Sequence, residues 1–206
     1  MTSQRPRRTQ SERRAATVAK LVDATIAAIG ELGYQRATVQ EICGRAGLSV
    51  GAMFRQFDSR LDLIVRSADE IIARQLAAFG AVMEQLGSQE NSLDTALRFL
   101  RDAQASNLTH ALREIFLAAR SDAELRTRIA PQVETYYARM VSETERTAVL
   151  ARFPAERREP LFFLVLHVFS GQAVVRGVVP DPAMDDAVLA LVEDLLHTYA
   201  EKRSGA

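Results

Sequence analysis

Apolar residues recur at intervals of three and four along almost the whole chain, the spacing of a helix face rather than of a strand. Val18, Leu21, Val22, Thr25, Ile26 and Ile29 define the first such face, and Gly33 is placed to stop it. Thr38 followed three residues later by Glu41 is a capping box, so a second helix is expected from Thr38 with Val39, Ile42 and Cys43 inward, kept short by Gly47. Ser49 can cap a third helix bearing Met53 and Phe57, and Asp58 or Ser59 a fourth over about 60–86. After the polar linker Gly87 to Asn91, helices are expected over 92–106, 108–120, 157–178 and 183–202. A capping box at Ser121 to Glu124 opens a further long segment to Leu150, which Pro131 should kink or divide. The first dozen residues, MTSQRPRRTQSE, lack periodicity and read as a mobile basic tail. No segment reads as a strand, and the expected class is all-α.

Composition narrows the options without choosing among them. With 206 residues, 48% hydrophobic and 25% charged, the chain has the make-up of a globular protein with a sizeable core. Its one cysteine, Cys43, excludes an internal disulfide and reads as a small core filler. No apolar leader opens the sequence, and its most apolar run, 161–169, falls well short of the roughly 20 residues of a membrane span. A cytoplasmic location is therefore expected, with no membrane partner. The 26 basic and 26 acidic residues cancel, but unevenly: residues 1–60 hold ten basic against five acidic, leaving sixteen against twenty-one for the rest. An anion-binding head on an acidic body is the reading this polarity invites.

The segment Thr38 to Phe57, TVQEICGRAGLSVGAMFRQF, meets the requirements of a helix-turn-helix. Ile42, Ala46, Leu48, Met53 and Phe57 supply the apolar lock, Cys43 is small where the helices cross, and Gly47 suits a turn that needs a positive φ. An ordinary helical hairpin is the competing reading. Against it, Ser49, Val50, Gly51, Ala52, Arg55 and Gln56 lie off the core face, two of them small enough for close approach to a groove. Arg and Gln match guanine and adenine edges. Thr38, Arg45, Ser49 and Arg60 lie where hydroxyls, guanidinium groups and helix N-termini can hold phosphates.

From Ala19 to Leu63, the order Gly33-Tyr34, Thr38-Val39, Glu41-Ile42, Arg45-Ala46-Gly47-Leu48-Ser49, Gly51, Phe54 and Phe57-x-Ser59-Arg60-x-Asp62-Leu63 resembles the DNA-binding domain of TetR-family transcriptional regulators. Asp122 to Arg126 and Tyr136 to Arg139 also look like a segment of some members' regulatory domains. The resemblance implies a homodimer with a three-helix helix-turn-helix head, here 13–60 after a tail of 1–12, and a helical ligand-binding and dimerisation body over 61–206. It implies phosphate contacts from Thr38, Arg45, Ser49 and Arg60, and a base-facing set of Val50, Gly51, Ala52, Arg55 and Gln56. Phe54 stands where the family usually has tyrosine, so a hydroxyl contact to phosphate is lost, and Gln56 stands where an aromatic or histidine is common. Repression of a palindromic operator, relieved by an effector, is the implied function.

In the body, bulky or polar residues on otherwise aliphatic segments are the pocket candidates: Phe79, Met83, Phe99, His110 and Phe116 before residue 120, and Tyr136, Tyr137, Met140, Phe163, His167 and Gln172 after it. Core packing is the alternative for each. The aromatic character points to a small hydrophobic or aromatic effector. Gly171 and Val174, with Val188, Val192, Leu195 and Tyr199, are the expected dimer stripes, unless they pack within one monomer. The three histidines show no metal spacing, and no phosphate loop or nucleophile elbow is present, so neither an enzyme nor a metal or other cofactor is expected. A helical ligand-binding or scaffold protein without sequence-specific DNA binding is the remaining alternative.

Overall fold

The computed structural model describes residues 9–86 and 92–204, all in helices and turns with no strand among them. Among these residues nine α-helices follow in order: α1 (Gln10–Leu32), α2 (Val39–Ala46), α3 (Val50–Phe54), α4 (Arg60–Leu86), α5 (Ser92–Ala105), α6 (Asn107–Ala119), α7 (Ala123–Glu145), α8 (Ala155–Arg176) and α9 (Pro182–Ser204), with a 3₁₀ turn at Ala148–Leu150. Residues 1–8 of the expected tail and the linker Gly87 to Asn91 lie outside the described residues. Residues 9–12 do not belong to a tail. Thr9 caps α1, accepting from the Glu12 amide while the Glu12 carboxylate accepts from the Thr9 amide, a reciprocal box that starts the helix at Gln10, well before the apolar face that begins at Val18.

The chain forms two compact units. The head unit takes the chain up to Ile72 together with His110–Pro131, so α6 and the start of α7 belong with α1 to α3. Leu21, Ile29, Ile42, Met53, Leu63 and Ile115 are fully buried in it, each such side chain worth about 1.5–3 kcal/mol of transfer free energy. The body unit takes Ala73–Thr109 and the chain from Gln132 onward, with α5 packed on α8 and α9. Phe153, Phe169 and Met83 are among its fully buried side chains.

Two local expectations change. Pro131 does not divide α7, which runs unbroken from Ala123 to Glu145 and passes from one unit to the other directly after the proline. The cap of α7 is Asp122, whose carboxylate accepts from the Leu125 amide; the Ser121 hydroxyl instead donates back to the Ala118 carbonyl at the end of α6. A carboxylate at a helix N-terminus is held by charge as well as by hydrogen bonding, which favours Asp122 over its neighbour.

Candidate functional site

The helix-turn-helix is assembled from caps. The Thr38 hydroxyl accepts from the Glu41 amide at 3.2 Å and starts α2. Gly47 ends it at φ 65°, ψ 36°, the left-handed conformation that favours glycine. The Ser49 hydroxyl accepts from the Ala52 amide at 3.1 Å and starts α3. The turn is therefore fixed from both sides, and Ile42, Cys43 and Met53 close the space beneath it. Burial pushes the Cys43 thiol above its ordinary value, in keeping with a packing role.

The outer surface of this motif carries most of the expected contacts. Thr38, Arg45, Ser49, Val50, Gly51, Phe54 and Arg55 are exposed, and a Cβ built on Gly51 would meet nothing within 4 Å. Phe54 is 50% exposed, large for an apolar residue. Ala52 departs from the expectation. It is 8% exposed and turned inward, because α3 packs by Ala52 and Met53 together. Helix α3 ends at Phe54, with Arg55 as its C-cap, so Arg55 and Gln56 leave from the turn that follows. There Gln56 is held at its Oε1 by the Arg14 guanidinium of α1 at 3.2 Å. Beside that bond Arg13, Arg14 and Thr17 of α1 share a groove with Leu48, Ala52 and Arg55.

Two arginines expected at phosphates are engaged inside the head. Arg45 donates to Glu41 and to Glu31, each at 2.6 Å, and those hydrogen bonds raise its already high pKa. Arg60 donates to the carbonyls of Ala37 and Tyr34 and lies 4.7 Å above the Tyr34 ring, clasping the loop between α1 and α2. The sequence shows the two cations but not the carboxylates that Arg45 meets or the carbonyls that Arg60 meets.

Further contacts tie α6 and α7 to this head. Glu114 of α6 accepts from the Tyr34 amide at 3.3 Å, and its Oε2 lies 3.2 Å from where a Gly33 Cβ would stand, at φ 82°. Arg128 of α7 meets Asp62 of α4 at 2.6 Å. Asp62 also exchanges hydrogen bonds with Ser59 at the start of α4, and these bonds, with that to Arg128, hold its carboxyl below the usual range.

In the body unit, Phe79 and Met83 of α4 border an apolar cavity of about 40 Å³. The rest of its wall is mostly aliphatic, including Leu97, Leu100, Val149 and Val165, with Phe162. Thr144 is the polar member, and its hydroxyl is already directed at the Met140 and Val141 carbonyls. Phe99 joins by packing on Phe79, with ring centroids 6.3 Å apart. From there a chain of rings leads through Phe162, Phe163 and Tyr137 to Tyr136, with His167 stacked on Phe163. Met140 is buried, Gln172 half-buried and His167 exposed. His110 and Phe116 lie in the head unit and are not brought to this cavity. Its aliphatic wall was not among the sequence candidates, since leucine and valine at helical spacing carry no mark of a pocket.

No helix among the described residues is long and apolar enough to cross a membrane. The family model for bacterial regulatory proteins of the tetR family matches residues 21–66, the stretch that builds α2, α3 and their supports. Over 189 residues the chain is 35% identical to an uncharacterised HTH-type transcriptional regulator of Mycobacterium tuberculosis, covering 92% of this chain and 97% of that one. The HTH-type transcriptional regulator CymR of Pseudomonas putida is 29% identical over 174 residues, 82% of this chain and 83% of its own. Among solved structures, a transcriptional regulator from Rhodococcus superposes with a TM-score of 0.68 at 20% identity, covering 88% of this chain and 96% of that one. With the two caps, the glycine turn and an exposed α3 in place, the chain belongs to the TetR family of helix-turn-helix transcriptional regulators.

Proposed function

We propose that the protein is a homodimeric repressor that leaves a palindromic operator when a small hydrophobic or aromatic effector enters the body unit. The observation that carries the first half is the exposed α3 surface: Val50, Gly51 and Phe54 stand clear of the monomer, with Arg55 and Gln56 on the turn beyond. Val50 and Phe54 suit thymine methyls and sugar edges, Arg55 a guanine, and Gln56 an adenine. Thr38 and Ser49 keep hydroxyl hydrogens for phosphate after accepting their capping amides. A motif this short needs a second copy on a matching half-site.

The surface of α8 and α9 supports that second copy. Leu164, Val168 and Val175 are exposed on α8 at heptad-like spacing, with Gly171 between them open to close approach. Met184, Leu191 and Leu195 repeat the pattern on α9. Of the stripe expected on α9, Leu195 lies within this exposed face, while Val188, Val192 and Tyr199 are half-buried and Tyr199 stacks on Phe153. A monomer leaves such a face in water only at a cost that pairing removes.

The cavity supports the second half. At about 40 Å³ it is far below the roughly 150 Å³ that holds a benzene ring, so an aromatic effector enters only by spreading the helices around it. Binding and conformational change are then one event, and the ligand favours the spread state by its affinity difference between the two. Helices α4 and α7 border the cavity and also run into the head, where Asp62 and Arg128 join them. Filling the site tests this directly. Ala96 of α5 lines the cavity, and the Ala96→Phe variant should bind operator DNA as the wild type does yet stay bound, in gel shifts, when an effector that releases the wild type is added. Release of the variant at the same concentration would move the effector site elsewhere.

A further inference from the structure

We infer that three glutamines, Gln75, Gln132 and Gln172, form a hydrogen-bonding floor to the effector site, and that they select a neutral molecule bearing a hydroxyl group. The inference rests on the reading that the body binds an effector. Gln75 Oε1, Gln132 Oε1 and both amide atoms of Gln172 are buried and have no hydrogen-bond partner in the chain. Each such atom left unmatched is a standing cost, and four in one unit is more than packing alone accounts for.

Their positions share a direction. The cavity lies at the end of the body marked by Met83 of α4, Thr144 of α7 and Val149 beside the 3₁₀ turn, where α7 ends and α8 is about to begin. Moving away from that end, α4 runs back through Phe79 to Gln75, α7 back through Tyr136 to Gln132, and α8 forward through Phe169 to Gln172. The linked rings of Phe79, Phe162, Phe163 and Tyr137 lie between. Gln75 stands one turn before the cavity-lining Phe79, Gln132 one turn before the buried Tyr136 and Gln172 about two turns beyond the cavity-lining Val165, each on the face of its helix that turns inward.

Their chemistry sets the ligand class. Thr109 donates its hydroxyl proton to the Ala103 carbonyl at 2.6 Å, so toward Gln75, 2.7 Å away, it can only accept. That fixes the Gln75 nitrogen on Thr109 and leaves Oε1 as a committed acceptor. Gln132 adds another acceptor, and Gln172 an acceptor and a donor. A hydroxyl gives a proton to Gln75 or Gln132 and takes one from Gln172. A carboxylate has no proton to give, and none of the residues lining the cavity is a cation that would hold it. A plain hydrocarbon leaves every amide unmatched.

Calorimetric titration of the full chain with para-ethylphenol, ethylbenzene and para-ethylbenzoate near neutral pH separates these classes. The phenol should bind tightest, by about tenfold or more over each of the others, the worth of one well-matched hydrogen bond. Gln75→Met and Gln172→Met keep the shape and should each reduce the preference for phenol over ethylbenzene while ethylbenzene binding stays. Equal or tighter binding of the benzoate, a phenol preference that survives in both variants, or no phenol binding at millimolar concentration would overturn the assignment. Operator binding by the same preparation without any probe reports on the regulator reading separately, so the two can fail independently.

Discussion

Gly47 occupies the left-handed region at φ 65°, ψ 36°, and open space surrounds the position a Cβ would take. Any cost of a side chain there is backbone strain alone, so Gly47→Ala should destabilise the protein by about 1–2 kcal/mol, and Gly47→Asn by less, in urea unfolding. Cys43 makes the opposite case, a reactive group disarmed by burial. Its raised thiol pKa and 2% exposure predict alkylation by iodoacetamide far slower in the native protein than in the urea-unfolded chain. Both residues were legible in the sequence, because a turn glycine and a small crossing residue are demanded by local geometry. Arg45 and Arg60 were not. Whether a guanidinium at a helix end meets a phosphate, a carboxylate or a carbonyl depends on Glu31, Ala37 and Tyr34, which reach it only through the fold.

At the scale of elements, caps and periodicity placed most helices within a few residues, since both act locally. The misses are tertiary or nearly so. Residues 9–12 lack an apolar face but are carried into α1 by the Thr9 box, and Pro131 is tolerated inside α7. The start of α4 shows how such an element is anchored, with Ser59 and Arg128 both holding Asp62 in its charged form. Its folded pKa is lowered below the unfolded value near 3.8, so the contribution is present above that value and lost as the pH falls through the folded one. Asp62→Asn should therefore lower the melting temperature near neutral pH and flatten the fall seen between about pH 5 and about pH 3. An acid limb identical to the wild type's would show that Asp62 is not among the groups that set it.

At the scale of the whole molecule, the homodimer proposed above assigns the exposed stripes of α8 and α9 and the exposed α3 to one requirement, a pair of heads for two half-sites. Placing a charge in the stripe, as in Val175→Asp or Leu191→Asp, should turn a dimer into a monomer in sedimentation equilibrium and lower operator affinity together. Monomer with unchanged affinity would detach dimerisation from DNA binding. The sequence carried the helix-turn-helix plainly but not the cavity, because a motif is a local pattern of particular residues, whereas a void is what aliphatic side chains from several helices fail to fill.

The central claim is that the head reads a DNA sequence, and titration of the purified protein against DNA from upstream of its own gene and its neighbours, across a salt series, tests it most directly. The expected result is saturable binding to one fragment well above random DNA, weakening steeply as salt rises, with that preference abolished in the Arg55→Ala, Gln56→Ala double variant. A double variant that discriminates as well as the wild type, or genome-wide selection that yields no fragment bound above random DNA at any salt concentration, would contradict it.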